Sequence, residues 1–222
     1  MAIEKLESGN YYHIYSHAVG GRDLFRTPDN YDCFLSLYDK YISPIAETFA
    51  WVLMSNHFHF LVRIKENVCY KYSNADGSFD AVRFNEIKWE TTDLSVCEAP
   101  DSVKIPKPEK HFSHLFNSYA KYYNTKYGSK GTMFERPFKR KLIDNKEYLK
   151  RVIRYIHNNP VHHGFCEHIL EYPWSSYLSC ISIKPTKLQR EKVVGWFDNK
   201  ANFKTMHDKK VEIIEIEKWL DL

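Results

Sequence analysis

Two histidines set one residue apart are the first residues of this sequence whose type and spacing could do chemistry. They lie in the stretch NHFHFLVRI, residues 56–64. Because side chains alternate between the two faces of a strand, His57 and His59 project to one side and the phenylalanines to the other. Two neighbouring imidazoles are within reach of one metal ion. Two partly exposed histidines on an edge strand would give the same pattern, so the pair indicates a site only if it has partners.

Candidate partners occur in the stretch DNKEYLKRVIRYIHNNP, which predicts a helix that its proline ends. Tyr155 and Asn159 are four residues apart and therefore share one face of this helix, beside its apolar stripe. We expect both side chains at the seam between helix and sheet, opposite the imidazoles of His57 and His59. The site would then hold three metal ligands and one nucleophile. Three other histidines do not share this face and are expected at the surface or in contact with phosphate: His157, His162 and His163.

Hydrophobic periodicity predicts the elements that must position these residues. The predicted strands are 11–19, 49–55, 57–64 and 134–143, and the predicted helices are 29–43, 111–123 and the segment that carries Tyr155. Ser55 and Asn56 form a tight turn, so the second and third strands make an antiparallel hairpin. The order β-α-β-β-α-β-α is a split βαβ arrangement in the α+β class.

Length and composition describe a folded protein without membrane segments. The chain has 222 residues, of which 43% are hydrophobic and 16% aromatic, which supports a full core and excludes intrinsic disorder. No run of about 18 apolar residues and no apolar N-terminal segment occurs, so we expect a cytoplasmic protein with no membrane partner. The five cysteines are scattered without a C-x-x-C pair, which argues against a zinc knuckle or a disulfide framework.

Charge is concentrated in two segments of opposite sign. Residues 121–154 carry eleven Lys and Arg against three Asp and Glu, whereas residues 66–101 carry three against eight. The basic segment predicts one surface for an anionic partner, although a solvated helix and strand face explains the charge equally well. If the partner is DNA, basic side chains would contact phosphates and interleaved tyrosines would stack on bases, unless they pack within the helix layer. The candidates are Lys121, Lys126, Lys130, Arg136, Lys139, Arg140 and Lys141, with Tyr122 and Tyr123.

Several motifs, taken in order, resemble those of single-tyrosine HUH transposases of the REP-associated kind. The matching stretches run from Tyr11 to about Tyr177 and are YYHIYSHAVGGRDLF, WVLMSNHFHFLV, SYAKYYNTKYGSKGTMFERPFK, YLKRVIRYIHNNPVHHGF and YPWSSY. The H-hydrophobic-H triplet after LMSN is moderately specific, and RYIHNNPV is more so. Together they cover most of the chain outside the acidic segment.

This resemblance implies a ferredoxin-like catalytic domain that cuts single-stranded or hairpin-containing DNA and transfers strands through a 5′-phosphotyrosine. The family's nucleophile falls on Tyr155, and its metal ligands fall on His57, His59 and Asn159. The implied cofactor is Mg²⁺ or Mn²⁺, although the ligand types alone would also permit another transition metal. Whether the protein is a monomer or a homodimer stays open.

Two parts of the chain depart from the compact pattern of the family. The catalytic domain would span 1–182 with an acidic insertion at about 66–107, and 183–222 would be a C-terminal extension of unknown role. Two other functions stay open. One is a domesticated protein that binds a DNA hairpin without cutting it, against which the intact set of candidate site residues argues. The other is a metal-dependent nuclease that uses water, with Tyr155 in a structural role.

Overall fold

A four-stranded antiparallel sheet forms the centre of the fold. The computed structural model describes residues 4–72, 87–91, 104–209 and 213–220. The strands are β1 (Tyr11–His17), β2 (Ala46–Leu53), β3 (His57–Ile64), β4 (Val68–Tyr72), β5 (Ile87–Thr91) and β6 (Lys139–Ile143). The central sheet has the order β2-β3-β1-β6, while β4 and β5 pair separately. Because β3 lies between β1 and β2 and is antiparallel to both, the unit is a split βαβ, and the predicted α+β, ferredoxin-like fold is confirmed.

Helices cover both faces of this sheet. Within the described ranges they are α1 (Pro28–Tyr41), α2 (Pro108–Tyr127), α3 (Lys146–His162), α4 (Tyr177–Ile181), α5 (Arg190–Trp196), α6 (Lys200–Asp208) and α7 (Ile213–Leu220). α2 ends at Gly128, whose φ of 63° is a left-handed conformation that glycine adopts without strain. Of the helices described, none is long and apolar enough to span a bilayer.

The two faces of the sheet carry separate hydrophobic layers. One face takes Phe58 and Phe60 of β3 and packs against α1 and α2. The opposite face takes Leu61 and packs against α3 and the helices that follow it. Since successive side chains of a strand point to opposite faces, His57 and His59 lie on the α3 face with Leu61.

The strand β6 is shorter than its sequence pattern predicts. It starts at Lys139 rather than at 134, because Pro137 has no N–H to donate to a ladder, and Phe134 makes only an isolated bridge. The predicted acidic insertion contributes β4 and β5. Residues 73–86 and 92–103 of it lie outside the described ranges.

The helix α3 extends further than predicted at its C-terminal end. Its N-cap is Asn145, whose side-chain oxygen accepts a hydrogen bond from Glu147 N at 2.8 Å. Pro160 does not end the helix, which continues to His162. A proline in the last turn removes only one backbone hydrogen bond, because few residues of the helix follow it. The residues before and after the proline therefore keep one helical frame.

The chain after α3 covers the outer edge of the sheet and extends the α3 layer. Leu53 N donates to Trp174 O at 2.9 Å and Ser176 N donates to Trp51 O at 2.9 Å, so this segment pairs with the free edge of β2. The later helices contribute side chains to the hydrophobic core of the α3 face, among them Val193, Phe197, Phe203 and Ile216. The C-terminal extension thus packs on the same core as the helix that carries Tyr155.

Candidate active site

Pairing between β1 and β3 surrounds the two histidines with other rings. His17 lies opposite His57 and Tyr15 lies opposite His59 in the antiparallel register. His13, two residues before Tyr15, is on the same face and stacks on His59. Alternation along YYHIYSH and HFHFLVRI therefore produces one aromatic, imidazole-rich surface beneath α3.

His57 lies between two amide oxygens. Its Nδ1 is 2.7 Å from Asn56 Oδ1 and its Nε2 is 3.0 Å from Asn159 Oδ1. Burial lowers the pKa of His57 to about 4, and the hydrogen bond with Asn159 offsets only part of this effect. The imidazole is therefore neutral near pH 7 and has one N–H, so it can donate to only one of the two oxygens.

The position of that hydrogen decides what faces Asn159. When Nδ1 carries it and donates to Asn56, the Nε2 of His57 presents a lone pair to Asn159 Oδ1, and two acceptors lie 3.0 Å apart. The other tautomer of His57 donates from Nε2 to Asn159 Oδ1 instead. In the first tautomer, a cation shared by the two acceptors would satisfy both of them.

His59 is held by a second imidazole. Its Nδ1 lies 2.9 Å from His13 Nε2, and the two rings are nearly parallel at 7°. Burial lowers the pKa of His13 to about 3 and that of His59 well below its usual value, so both rings are neutral. When Nδ1 of His59 donates in this bond, its Nε2 carries the lone pair and is available to a ligand. Hydrogen bonds of this kind orient metal-ligating histidines in other proteins.

Tyr155 meets the same rings from the side of α3. It is 2% exposed, and its ring centroid is 5.4 Å from that of His59 and 6.2 Å from that of His13, edge-on to both. Burial raises the pKa of Tyr155 above its usual range and the negative charge of Glu217 raises it further, whereas a hydrogen bond with Asn159 lowers it. The phenol is therefore protonated at neutral pH.

A pocket of about 360 Å³ joins these groups. It is lined by Tyr15, His17, His57, His59, Lys139, Tyr155, His163 and Glu217. Its charged members are Lys139 of β6 and Glu217 of α7. The helix α7 borders the pocket, since Tyr15 OH donates to Leu220 O at 3.3 Å and Glu217 lies 3.7 Å from His162. Two phenols, four imidazoles, one ammonium and one carboxylate thus share a small volume.

The donor set fits a divalent cation that keeps open positions. Within the described residues, no group of three or more His, Cys, Asp or Glu side chains is arranged to hold a metal ion. The candidate metal ligands are the imidazoles of His57 and His59 and the amide oxygen of Asn159. Neutral imidazoles and a carboxamide oxygen bind metal without first losing a proton. The two neutral residues His13 and Asn56 support the outer nitrogens of the set.

The basic residues expected to bind DNA are mostly on the surface. Lys121 and Arg136 line a groove of about 690 Å³ between α2 and the segment 131–138. Lys126 is exposed and lies 3.1 Å from Asp29. Lys130 and Lys139 are also exposed, while Lys141 and Tyr122 are partly buried. Lys139 lines the pocket of Tyr155, so the basic surface reaches the candidate active site.

Two of the expected DNA-binding residues, Tyr123 and Arg140, have largely buried side chains. Tyr123 is 2% exposed, and its hydroxyl donates to Asp23 O at 2.9 Å. The Arg140 side chain is 7% exposed, lies over the ring of Phe138 at 4.3 Å, and is 3.7 Å from Glu109. Arg140 faces α2 because it alternates with its neighbours along β6, which face α3. The ring of Tyr123 is therefore removed from the surface that DNA could reach, whereas Arg140 lines the same groove as Lys121 and Arg136.

Several residues of the site were not predicted from the sequence. His157, expected at the surface, is fully buried, and His163 lines the pocket with its ring centroid 5.2 Å from that of His57. His163 reaches this place because α3 continues past the proline. Alternation in YYHIYSH could have indicated His13 and His17, which share a face. No local signal connects Glu217 with a strand so distant in the sequence.

Comparison with known proteins supports the fold. No protein-family model matches the chain, and no curated protein does. Among solved structures, the chain is similar to the REP-associated tyrosine transposase bound to a REP hairpin, with a TM-score of 0.55 and 15% sequence identity. The match covers 83% of this chain and 88% of that chain. The two proteins share one architecture over most of their lengths.

Proposed function

We propose that this protein is a single-tyrosine HUH transposase, which cuts and rejoins single-stranded DNA next to a hairpin through a 5′-phosphotyrosine. The observation that carries the proposal is the meeting of Tyr155 with His57 and His59 in one pocket, with Asn159 Oδ1 3.0 Å from His57 Nε2. These are the four positions that the resemblance assigns to the nucleophile and metal ligands. The similarity to a transposase structure that holds a hairpin adds support through the fold.

In this proposal a divalent metal is held by His57 and His59 through their Nε2 atoms and by Asn159 through Oδ1. When bound there, such an ion neutralises a non-bridging oxygen of the scissile phosphate and makes phosphorus more electrophilic. Oxygen ligands favour Mg²⁺ or Mn²⁺, and the imidazoles favour Mn²⁺ of the two. In this proposal Nδ1 of His59 donates to His13 and Nδ1 of His57 donates to Asn56, which leaves both Nε2 atoms free.

Tyr155 supplies the nucleophile. Its oxygen forms a bond to phosphorus as the bond from phosphorus to the 3′ oxygen breaks, so the downstream strand stays attached through its 5′ phosphate. The phenol proton must leave, and the carboxylate of Glu217, which lines the same pocket, can accept it. The departing 3′ oxygen takes up a proton and becomes a hydroxyl. Because the ester conserves the bond energy, a 3′ hydroxyl can later attack it and reseal a strand.

The surface around the pocket supports a single strand and a hairpin. Lys139 reaches the pocket from β6, and Lys121 and Arg136 line the groove along α2. Lysine and arginine at such positions hold phosphates without reading sequence, and the half-buried ring of Tyr122 offers an edge for a base. Affinity for DNA and cleavage of DNA therefore depend on different residues.

A denaturing gel tests the proposal directly. The protein is incubated with Mn²⁺ and hairpin-containing single strands from the DNA flanking its gene, labelled at their 3′ ends. We expect a labelled band that migrates with the protein and disappears after protease digestion. Free cleaved DNA without this band would instead show hydrolysis by water and would contradict the proposal.

One observation favours a second function, a hairpin-binding protein that does not cut. Tyr155 is 2% exposed and its pKa is raised by burial, and both effects oppose attack on a phosphate. In that case the same gel would show neither adduct nor cleaved DNA, while a mobility shift in native gels would show hairpin binding. The two functions are thus separated by one pair of gels.

A further inference from the structure

A buried chain of hydrogen bonds ties α6 to the back of α3 and to the sheet. His157 Nδ1 lies 2.9 Å from His207 Nε2, and His157 Nε2 lies 2.8 Å from Ser176 Oγ. At one end His207 Nδ1 is 2.7 Å from Phe203 O, and at the other Trp51 N donates to Ser176 Oγ at 2.8 Å. The side chains of His157 and Ser176 are fully buried, and His207 is 2% exposed.

The two backbone ends determine the direction of every bond in this chain. A carbonyl oxygen only accepts, so His207 must carry its hydrogen on Nδ1 and, being neutral, must accept at Nε2. His157 then donates from Nδ1 and accepts at Nε2, where the hydroxyl of Ser176 donates. Ser176 Oγ accepts in turn from Trp51 N. Every polar atom along the path is satisfied in this one arrangement.

This chain has no access to a substrate. All three of its side chains are buried, and none of these hydrogen bonds involves a carboxylate. A serine, a histidine and a second histidine in this setting therefore do not act as a hydrolytic triad. Their role must therefore be to hold other parts of the protein in place.

These hydrogen bonds hold α3, the helix that carries Tyr155 and Asn159. His157 is two residues from each of these, about 200° around the helix, so it points away from the pocket that they face. α3 is anchored at its back through His157, while its front presents the phenol and the amide. A bond network fully satisfied in one arrangement fixes both the rotation and the axial position of a helix.

We infer that His207 is a positioning residue for Tyr155 and Asn159, and that it acts through His157 from the C-terminal extension. The inference rests on the proposed function for its effect on cleavage. The inference assigns a role to the C-terminal extension, since α6 supplies one end of the hydrogen-bond network that holds α3. His207 touches no substrate, and its contribution is the placement of two groups that do.

Nuclear magnetic resonance of the imidazole nitrogens tests the network without any DNA. At neutral pH we expect both His157 and His207 to carry hydrogen on Nδ1 and none on Nε2. A hydrogen on Nε2 of either ring would overturn the arrangement. This result is independent of whether the protein cuts DNA.

Two substitutions of His207 test the positioning role. His207→Phe keeps a ring of similar size and removes the acceptor, whereas His207→Gln keeps an acceptor for His157. We expect adduct formation to fall roughly tenfold or more in His207→Phe, since small displacements of reacting groups cost this much. Hairpin affinity should stay within about twofold, because it depends on the surface lysines and arginines. His207→Gln should recover most of the rate.

A wild-type rate in His207→Phe, or an equal loss in His207→Gln, would overturn the inference. If His207→Phe does not fold, Ser176→Ala breaks the same chain at its other end and should show the same loss, and a wild-type rate there would overturn the inference. If the wild type forms no adduct on any hairpin strand, the proposed function fails. The positioning role is then decided by the side-chain signals of Tyr155 and Asn159, which should move in His207→Phe and return in His207→Gln.

Discussion

At the residue scale, the pocket combines a protonated phenol with neutral imidazoles. Tyr155 keeps its proton because burial and the charge of Glu217 both raise its pKa. His57 and His59 stay uncharged because burial lowers theirs. A phosphate therefore meets little positive charge from the protein at this point beyond Lys139. Under the proposed function, we therefore expect cleavage to depend on a cation that these neutral donors bind.

Tyr155→Phe should abolish the covalent adduct and leave the fold intact. The substitution removes one oxygen and keeps the ring, so the free energy of unfolding should change by no more than about 1 kcal/mol. Adduct formation is measured on denaturing gels, and the attachment site by peptide mapping of the wild-type adduct. Tyr122→Phe, on the basic surface, is the matched control and should cut normally. An adduct that persists in Tyr155→Phe would assign the nucleophile to another tyrosine.

His57→Ala should lower Mn²⁺ affinity by at least tenfold, because it removes a ligand of the proposed set. Cleavage should be lost, and hairpin affinity should change little since surface charges supply it. Calorimetric titration with Mn²⁺ measures the first effect and a native gel the last. His163→Ala is the control, since His163 lies in the same pocket outside the ligand set. Equal losses of Mn²⁺ affinity in both variants would show that the ligands are assigned wrongly.

Residues close in sequence were more predictable than residues brought together by folding. The strand alternation of His57 and His59 and the helical spacing of Tyr155 and Asn159 follow from local geometry, and the structure brings all four to one place. Glu217 and the other C-terminal contributors depend on how later helices pack, which no short-range pattern encodes. Burial of Tyr123 escaped prediction for a related reason. Aromatic side chains on a helix serve core and surface equally well.

At the element scale, α2 and the segment after it form the groove that carries Lys121 and Arg136. The strands and helices themselves were largely predictable because their apolar periodicity is strong, and the confirmed ferredoxin-like order follows from it. The ends of the strands and helices were less predictable. A proline late in α3 costs one hydrogen bond, which packing of the helix on the sheet outweighs.

The double substitution Lys121→Ala with Arg136→Ala should weaken hairpin binding and reduce its dependence on salt. Each lost phosphate contact lowers the slope of log affinity against log salt by about 0.7 to 0.9, so we expect a change of roughly 1.5. Fluorescence anisotropy at several salt concentrations measures it. Lys187→Ala is the control, because Lys187 is exposed but paired with Asp39 at 2.7 Å, apart from this groove. An unchanged slope in the double variant would place DNA on another surface.

At the scale of the whole molecule, buried histidines make stability depend on pH. The folded-state pKa values of His13, His57 and His207 are about 3, 4 and 4. All lie below the value near 6.5 of an unfolded chain, so protons bind the unfolded state preferentially. Their contribution to stability is complete above about pH 6.5 and is lost as the pH falls towards the folded values.

The free energy of unfolding should therefore fall between pH 7 and pH 5, by about 2 kcal/mol at pH 5 for each of these histidines. Urea titrations at several pH values measure the decline. In His207→Gln this decline should be smaller by the contribution of one histidine, whereas His168→Gln, at an exposed position, should leave it unchanged. A constant free energy of unfolding over this range would show that the imidazoles are not buried neutral.

The strand β3 joins the pocket to the predicted acidic insertion. His57 stands at one end of the strand and Ile64 at the other, roughly 23 Å away at 3.3 Å per residue. β4 follows directly, and Tyr72 of β4 pairs with Ile87 of β5. A two-residue Asn-Gly turn could therefore close that pair in place of residues 73–86.

Such a replacement should leave the rate of adduct formation within about twofold of wild type, because the strand ends that it joins follow β3 at the end opposite His57. Gel-based rates measure it, and a variant with residues 73–86 in scrambled order separates the effect of length from that of sequence. Loss of cleavage in a folded replacement would show that the segment acts in the reaction.

The central sheet thus separates the pocket at one end of β3 from the acidic insertion at the other. Because His57 and His59 lie at one end of β3 and the chain leaves for β4 from the other, growth or loss of the insertion need not disturb the residues of the pocket. Related proteins could therefore differ in this insertion while the pocket stays unchanged. We therefore expect the acidic insertion to be the part in which related proteins differ, including in the partners that they bind.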